Sequence, residues 1–212
     1  MIPTVAPADL LGPDDVVDQR SFTHPDHVAA DRAVLCMLIR DFSRHLASAP
    51  RGQETVRFLP DPVQWHRRVV IPAPERLDAH QVISVVGFFG RVADTVEPEV
   101  AARIKTLGER LVDAVLSTPG VLGYTTHLLA DERNYANLVL VSSPDVIERW
   151  RLTAPHPKAA EEWSPRYYQH VRIYRGAVDR AEMDCEQALR LDSVKYWDYR
   201  CDPVWHAIRT LH

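Results

Sequence analysis

The sequence predicts an α+β fold in which one antiparallel sheet carries its crossover helices on a single face. Two observations predict it. Between residues 81 and 178 the hydropathy pattern switches period in the order strand, helix, strand, strand, helix, strand, with little chain left between elements. Two of the strand segments are apolar on both faces, which marks strands covered on both sides.

The elements follow in order. Gln81–Arg91 places Val82, Val86 and Phe88 on one face and Ile83, Val85 and Phe89 on the other. Glu99–Leu116 carries Val100, Ile104, Leu107, Leu111 and Val115 at three-to-four spacing, an amphipathic helix. Thr118-Pro119-Gly120 stops it, because proline cannot continue a helix and glycine tolerates the turn. Val121–Ala130 is the second strand, Asp131–Asn134 a short polar hairpin connection, and Tyr135–Ser142 the third strand. Ser143, Pro144 and Asp145 read as cap, first position and first-turn acid of a second helix. Val146, Ile147 and Trp150 form its stripe; Pro155 and Pro157 interrupt it, and a second piece, Lys158–Trp163, ends at Pro165. His170–Val178 is the fourth strand. This order is the ferredoxin-like split βαβ unit. Its helices cover one sheet face, so the other needs either the N-terminal region or a second copy of the chain.

The chain divides into an N-terminal extension over 1–79, the βαββαβ unit over 80–178 and a C-terminal extension over 179–212. Residues 1–20 read as an extended arm and Asp26–Leu46 as a helix with Leu35, Leu38, Ile39, Phe42 and Leu46 on one face. Glu54–Leu59 and His66–Ile71 read as short strands, and Pro72-Ala73-Pro74 as a linker. Ala181–Leu191 reads as a further helix. The aromatic tail beyond it holds Trp197 and Trp205, which are costly to leave in water, so both extensions are expected to pack on the unit or on a neighbouring subunit.

Composition narrows the function classes. The chain has 212 residues, 46% hydrophobic and 25% charged, with net charge −4, so no overall positive field favours nucleic acid. No apolar run reaches membrane-helix length and the first residues lack the pattern of a secretory signal. Cys36, Cys185 and Cys201 follow no framework spacing, which points to a reducing, cytoplasmic setting. No glycine-rich phosphate loop or dinucleotide fingerprint is present, so no nucleotide cofactor is expected. No nucleophile elbow occurs. His24 and His27 flank a helix entry without further metal ligands at a recognisable spacing.

Polar residues inside the unit are few. His127 shares a strand face with Val121, Gly123, Thr125 and Leu129, and Asn137 shares one with Val139 and Val141. Either the two satisfy each other or the backbone near the hairpin, or they point into a cavity between sheet and helices. His156 lies at the break in the second helix, either as a solvent-facing turn residue or as an acid–base group beside a pocket. Tyr167, Tyr168 and His170 lead into the fourth strand; alternation places Tyr168 and His170 on one side if that strand starts early. Arg172 and Arg175 face opposite sides and are expected to be solvated or paired.

Ser117 to Tyr124, Trp150 to His156, and Pro165 to Tyr168 running into Val171-Arg172-Ile173 resemble the dimeric α/β-barrel superfamily, especially its antibiotic-biosynthesis-monooxygenase-like branch. The resemblance covers residues 81 to 178. It implies a homodimer with two sheets packed face to face. It also implies chemistry drawn from cofactor-free monooxygenases, haem-degrading enzymes, haem-binding dehydratases, cyclases or isomerases, among which fold alone does not choose. In haem-handling relatives a histidine on or near the second helix is the iron ligand, and His156 is the matching position.

The leading expectation is an oxidoreductase of secondary metabolism: a cytoplasmic, nucleotide-independent monooxygenase acting on a small aromatic or polyketide-like metabolite. His156, His127 and Asn137 are the candidate catalytic residues, and Phe88, Trp150, Trp163 and Tyr168 the candidate substrate-binding residues. The alternatives are a haem protein with His156 or His127 as axial ligand, and a non-catalytic dimer that binds a ligand, or a partner through its aromatic tail.

Overall fold

In a computed structural model of the protein, residues 3–211 are described apart from 59–66, 132, 153–156, 158, 184 and 186–187. Nine strands build one mixed sheet: β1 (Asp9–Leu11), β2 (Thr55–Phe58), β3 (Arg68–Ile71), β4 (Val82–Val92), β5 (Val121–Leu128), β6 (Asn134–Val141), β7 (Tyr168–Asp179), β8 (Leu189–Asp198) and β9 (Trp205–Thr210). Their order is β1-β9-β8-β7-β4-β6-β5-β3-β2. β1 runs parallel to β9, and the other neighbours pair antiparallel. The helices are α1 (Asp26–Ala47), α2 (Pro74–Leu77), α3 (Pro98–Ser117) and α4 (Pro144–Arg151). A π-helical turn over Ala159–Trp163 and one helical turn over Ser164–Tyr167 lead into β7.

The four strands of the expected unit lie in the order β7-β4-β6-β5 at the centre of the sheet. α3 and α4 pack on one face through Val100, Leu107 and Val115, and through Val146, Ile147 and Trp150. α1 covers the other face. Asp26 in its first turn and Arg44 and His45 in its last complement the helix dipole. Leu35, Leu38, Ile39 and Phe42 recur at helical spacing and are fully buried against Ile83, Val85, Phe89, Leu138 and Leu140. Two glycines allow the close approach. A Cβ at Gly87 would lie 2.6 Å from a Leu35 methyl carbon, and at Gly123 the Phe42 ring fills that space. The helix spans much of the sheet: His45 Nδ1 lies 3.3 Å from Arg57 Nη1 on β2, and Arg32 Nε donates to the Leu189 carbonyl on β8 at 3.1 Å.

α1 of the same chain covers the sheet face through which the face-to-face homodimer was expected to pair. The N-terminal alternative is the one realised. One expectation is corrected here: the described residues of Ala181–Leu191 do not form the expected C-terminal helix. Arg180–Glu182 makes a 3-10 turn and Leu189 already begins β8, which with β9 widens the sheet. Leu189, Leu191, Val194 and Tyr196 are buried while Arg190 and Asp192 are exposed, an in–out pattern of strand type apart from the register shift near Gly176. Trp197 and Trp205 are thus built into strands. The class stays α+β, with an N-terminal extension of helix and short strands and a C-terminal extension that carries β8 and β9. Among the described residues no helix is long and apolar enough to cross a membrane.

Candidate functional site

Residues paired across neighbouring strands share a face, so the registers lay out the sheet surface. On the α3 side one row runs Arg68, Thr126, Asn137, Phe88, Ile173 and Lys195, from β3 to β8. The interior-facing residues of β4 on the α1 side are fully buried. Val86 and Phe88 on the α3 side, and Asn137 and Ile173 beside them, are only half-buried. The helices therefore cover this face less completely than α1 covers the opposite one.

An aromatic cluster surrounds the middle of that row. Phe88 meets Tyr168 edge-on with ring centroids 5.4 Å apart, and Tyr167 meets Tyr168 at 4.8 Å. Tyr167 donates its hydroxyl proton to the Tyr135 hydroxyl at 3.3 Å. Trp163 closes the cluster, with the Arg166 guanidinium 5.2 Å from its ring centre. Gly90 makes the space: a Cβ there would lie 2.6 Å from the Tyr168 ring and 2.8 Å from the Phe88 ring. The polar groups are few. Thr126 Oγ1 donates to Asn137 Oδ1 in a short hydrogen bond, and Tyr124 stands next along the strand face. Burial and the neighbouring tyrosines push Tyr168 well above the ordinary phenol value, and burial raises Tyr167 and Tyr124, the latter against the field of Arg68. These hydroxyls stay protonated at neutral pH and act as hydrogen-bond donors. The surface suits a planar, largely apolar molecule with one or two oxygens to be oriented.

The structure brings together Phe88, Asn137, Trp163 and Tyr168. Trp150 lies in the adjoining cluster with Tyr124 and Val139. His127 is not with them: it pairs in register with Ala136, which packs against α1, so His127 and Asn137 stand on opposite faces and do not satisfy each other. His156 lies outside the described residues. Tyr168 and His170 also part company, because the register shifts between Arg91 and Val92, opposite these two residues. His127, one of the two candidate axial histidines, lies away from the aromatic cluster.

His170 belongs to the α1 face, stacked on Phe22 with centroids 4.1 Å apart. Burial, and then the Arg172 and Arg200 charges, push it down to about 3. Near it Arg172 Nε and Nη2 hold Asp31 of α1 at 2.6 and 2.8 Å, and the Tyr174 hydroxyl donates to the same carboxylate at 2.7 Å. Arg175, on the other face, pairs with Glu148 of α4 at 2.5 Å. Both arginines are thus paired, as expected. Sequence alone assigns no site role to Arg68 and Thr126 of the α3-side row, to Tyr124 beside it, or to Asp31. The signals were alternation of Tyr124 and Thr126 opposite the His127 face, and a carboxylate four residues before Leu35 on an apolar helix stripe.

A cleft of about 820 Å³ opens elsewhere, beyond the C-terminal end of α1, between Leu46, Arg51, Asp78, His80, Arg180 and Met183. It contains none of the expected site residues. Its Asp78 carboxylate is held by both Arg51 and Arg180.

No protein-family model and no curated protein matches the chain. Two solved structures are similar to part of it. Protein SO0527 from Shewanella oneidensis is 15% identical with a TM-score of 0.38, covering 46% of this chain and 94% of its own. A point variant of SnoaB, a cofactor-independent oxygenase from Streptomyces nogalater, is 14% identical with a TM-score of 0.34, covering 46% and 90%. Both likenesses are at low identity and leave more than half of this chain unmatched.

Proposed function

We propose that this protein is an enzyme acting on a small aromatic or polyketide-like metabolite, a monooxygenase that uses no nucleotide cofactor, with its site on the α3 side of the sheet. The observation that supports the reading is the convergence of Phe88, Tyr168 and Trp163 around the Asn137–Thr126 pair on an incompletely covered sheet face. Phe88 and Tyr168 are the ring contacts. Asn137 orients a substrate oxygen, with Thr126 fixing which end of its amide faces the ligand. The substrate supplies all the electrons: a ring CH2 becomes C=O, one oxygen atom of O2 enters the product, and the other leaves as water with the two hydrogens. The protein's part is to hold the ring, keep bulk water away and donate hydrogen bonds to the oxygen that gains charge.

The test is oxygen uptake by purified protein, without added nucleotide, on a panel of naphthols and tricyclic phenols bearing a ring CH2. One O2 is expected per product, with turnover falling tenfold or more in Asn137→Ala and Phe88→Ala. Uptake no greater than the protein-free blank on every panel member would remove the oxygenase reading.

A further inference from the structure

Among the described residues three arginines, Arg68, Arg172 and Arg209, are buried, and their guanidiniums are satisfied differently. Arg209 donates to the Asp15 carbonyl. Arg172 lies against Asp31 with two hydrogen bonds, the usual condition for a cation taken out of water. Arg68, at the start of β3, is only 5% exposed, and its Nε has no hydrogen-bond partner. Among the described residues no carboxylate pairs with it. A buried charge without a counter-charge costs several kcal/mol, so such a group needs an explanation.

The surroundings of Arg68 supply one. Thr126 is its partner across the strand, and Asn137 and Phe88 follow in the same row. Tyr124 lies close enough for the Arg68 charge to act on its hydroxyl. Above it, Gly108 sits within α3, where a Cβ would lie 3.1 Å from Arg68 Nη2. A glycine inside a helix costs about 1 kcal/mol relative to alanine, and here it leaves room for the guanidinium. Three strand spacings, roughly 14 Å at the backbone, separate Arg68 from Phe88, a span that fits a ring system on Phe88 with its charged end toward β3.

We propose that Arg68 is the anion-recognition residue of this aromatic face, and that the ligand is an aromatic acid or acidic phenol bound as the anion with its charged oxygen on the guanidinium. This rests on the reading that the face is a ligand site. The carboxylate that Arg68 lacks among the described residues is brought by the ligand, and two parallel N–H donors suit a carboxylate or a phenolate beside a second oxygen.

Calorimetric titration with 2-naphthoate and with its neutral counterpart 2-naphthamide tests it, on the wild type and on Arg68→Met. The wild type is expected to bind the acid at least tenfold tighter than the amide. Arg68→Met should lose that preference while keeping its affinity for the amide. Equal binding of acid and amide by the wild type would overturn the assignment of Arg68 while leaving the aromatic site standing. Failure of both to bind would overturn the aromatic site and this assignment with it. The wild-type comparison needs no variant, so equal binding overturns the assignment even if Arg68→Met does not fold.

Discussion

Asp31 sits where an apolar stripe would place a leucine, and its worth lies in what it neutralises. Asp31→Asn leaves the Arg172 guanidinium buried without a counter-charge, so a loss of about 3–5 kcal/mol in unfolding free energy is expected. Glu148→Gln, at the half-exposed pair with Arg175, should cost no more than about 1 kcal/mol. Urea denaturation of both variants checks the contrast, and equal losses would contradict it. His170 gives a pH signature. Its folded value is pushed from 6.5 down to about 3. A histidine held neutral stabilises the fold fully above 6.5. As pH falls from there toward about 3, the unfolded chain takes up a proton that the native state refuses, and stability declines. His170→Phe keeps the ring against Phe22 and removes the titration. Its stability relative to wild type should therefore rise progressively as pH falls from 6.5 toward 3. A pH-independent difference between the two denaturation midpoints would count against this account.

At the scale of elements, much was readable in the chain. The α1 stripe and the α3 and α4 stripes repeat at helical spacing, and the stop at Gly120 and the start at Pro144 are strong local signals. Three things were not readable. The region after Arg180 carries alanine, glutamate and leucine, good helix formers, yet Leu189 to Asp198 pairs along β7; the tertiary neighbour overrides propensity. Register is the second. Which residues of β5 share a face depends on the shift between Val121 and Gly123, and the separation of Tyr168 from His170 on the shift beside Val92. A one-residue slip moves a side chain to the other face, and no local signal announces it. Partnership is the third: Asp31 with Arg172, and Arg68 with Thr126, join positions far apart in the chain. Asn137, Phe88, Tyr168 and Trp163 have their neighbours within the βαββαβ unit, so their common side of the sheet depends on local pairing alone.

On the scale of the whole molecule, the core of the α1 face is complete within one copy. Phe42→Ala should therefore cost about 3–5 kcal/mol, the range for a buried phenylalanine. Its unfolding midpoint, like that of the wild type, should not depend on protein concentration. A midpoint that rises with concentration would mean that part of this core is shared between copies.

That helix also raises a problem of timing. α1 precedes in the chain every strand it covers, and Arg32 waits for a carbonyl 157 residues further on. As the protein emerges from the ribosome, Leu35, Leu38, Ile39 and Phe42 form a sticky stripe with no sheet yet to receive it. Local helix formation is fast and long-range strand pairing is slow. The nascent chain therefore passes through a stage that invites chaperone capture or aggregation, and it leaves that stage only when β4 to β8 have assembled around a helix made long before them.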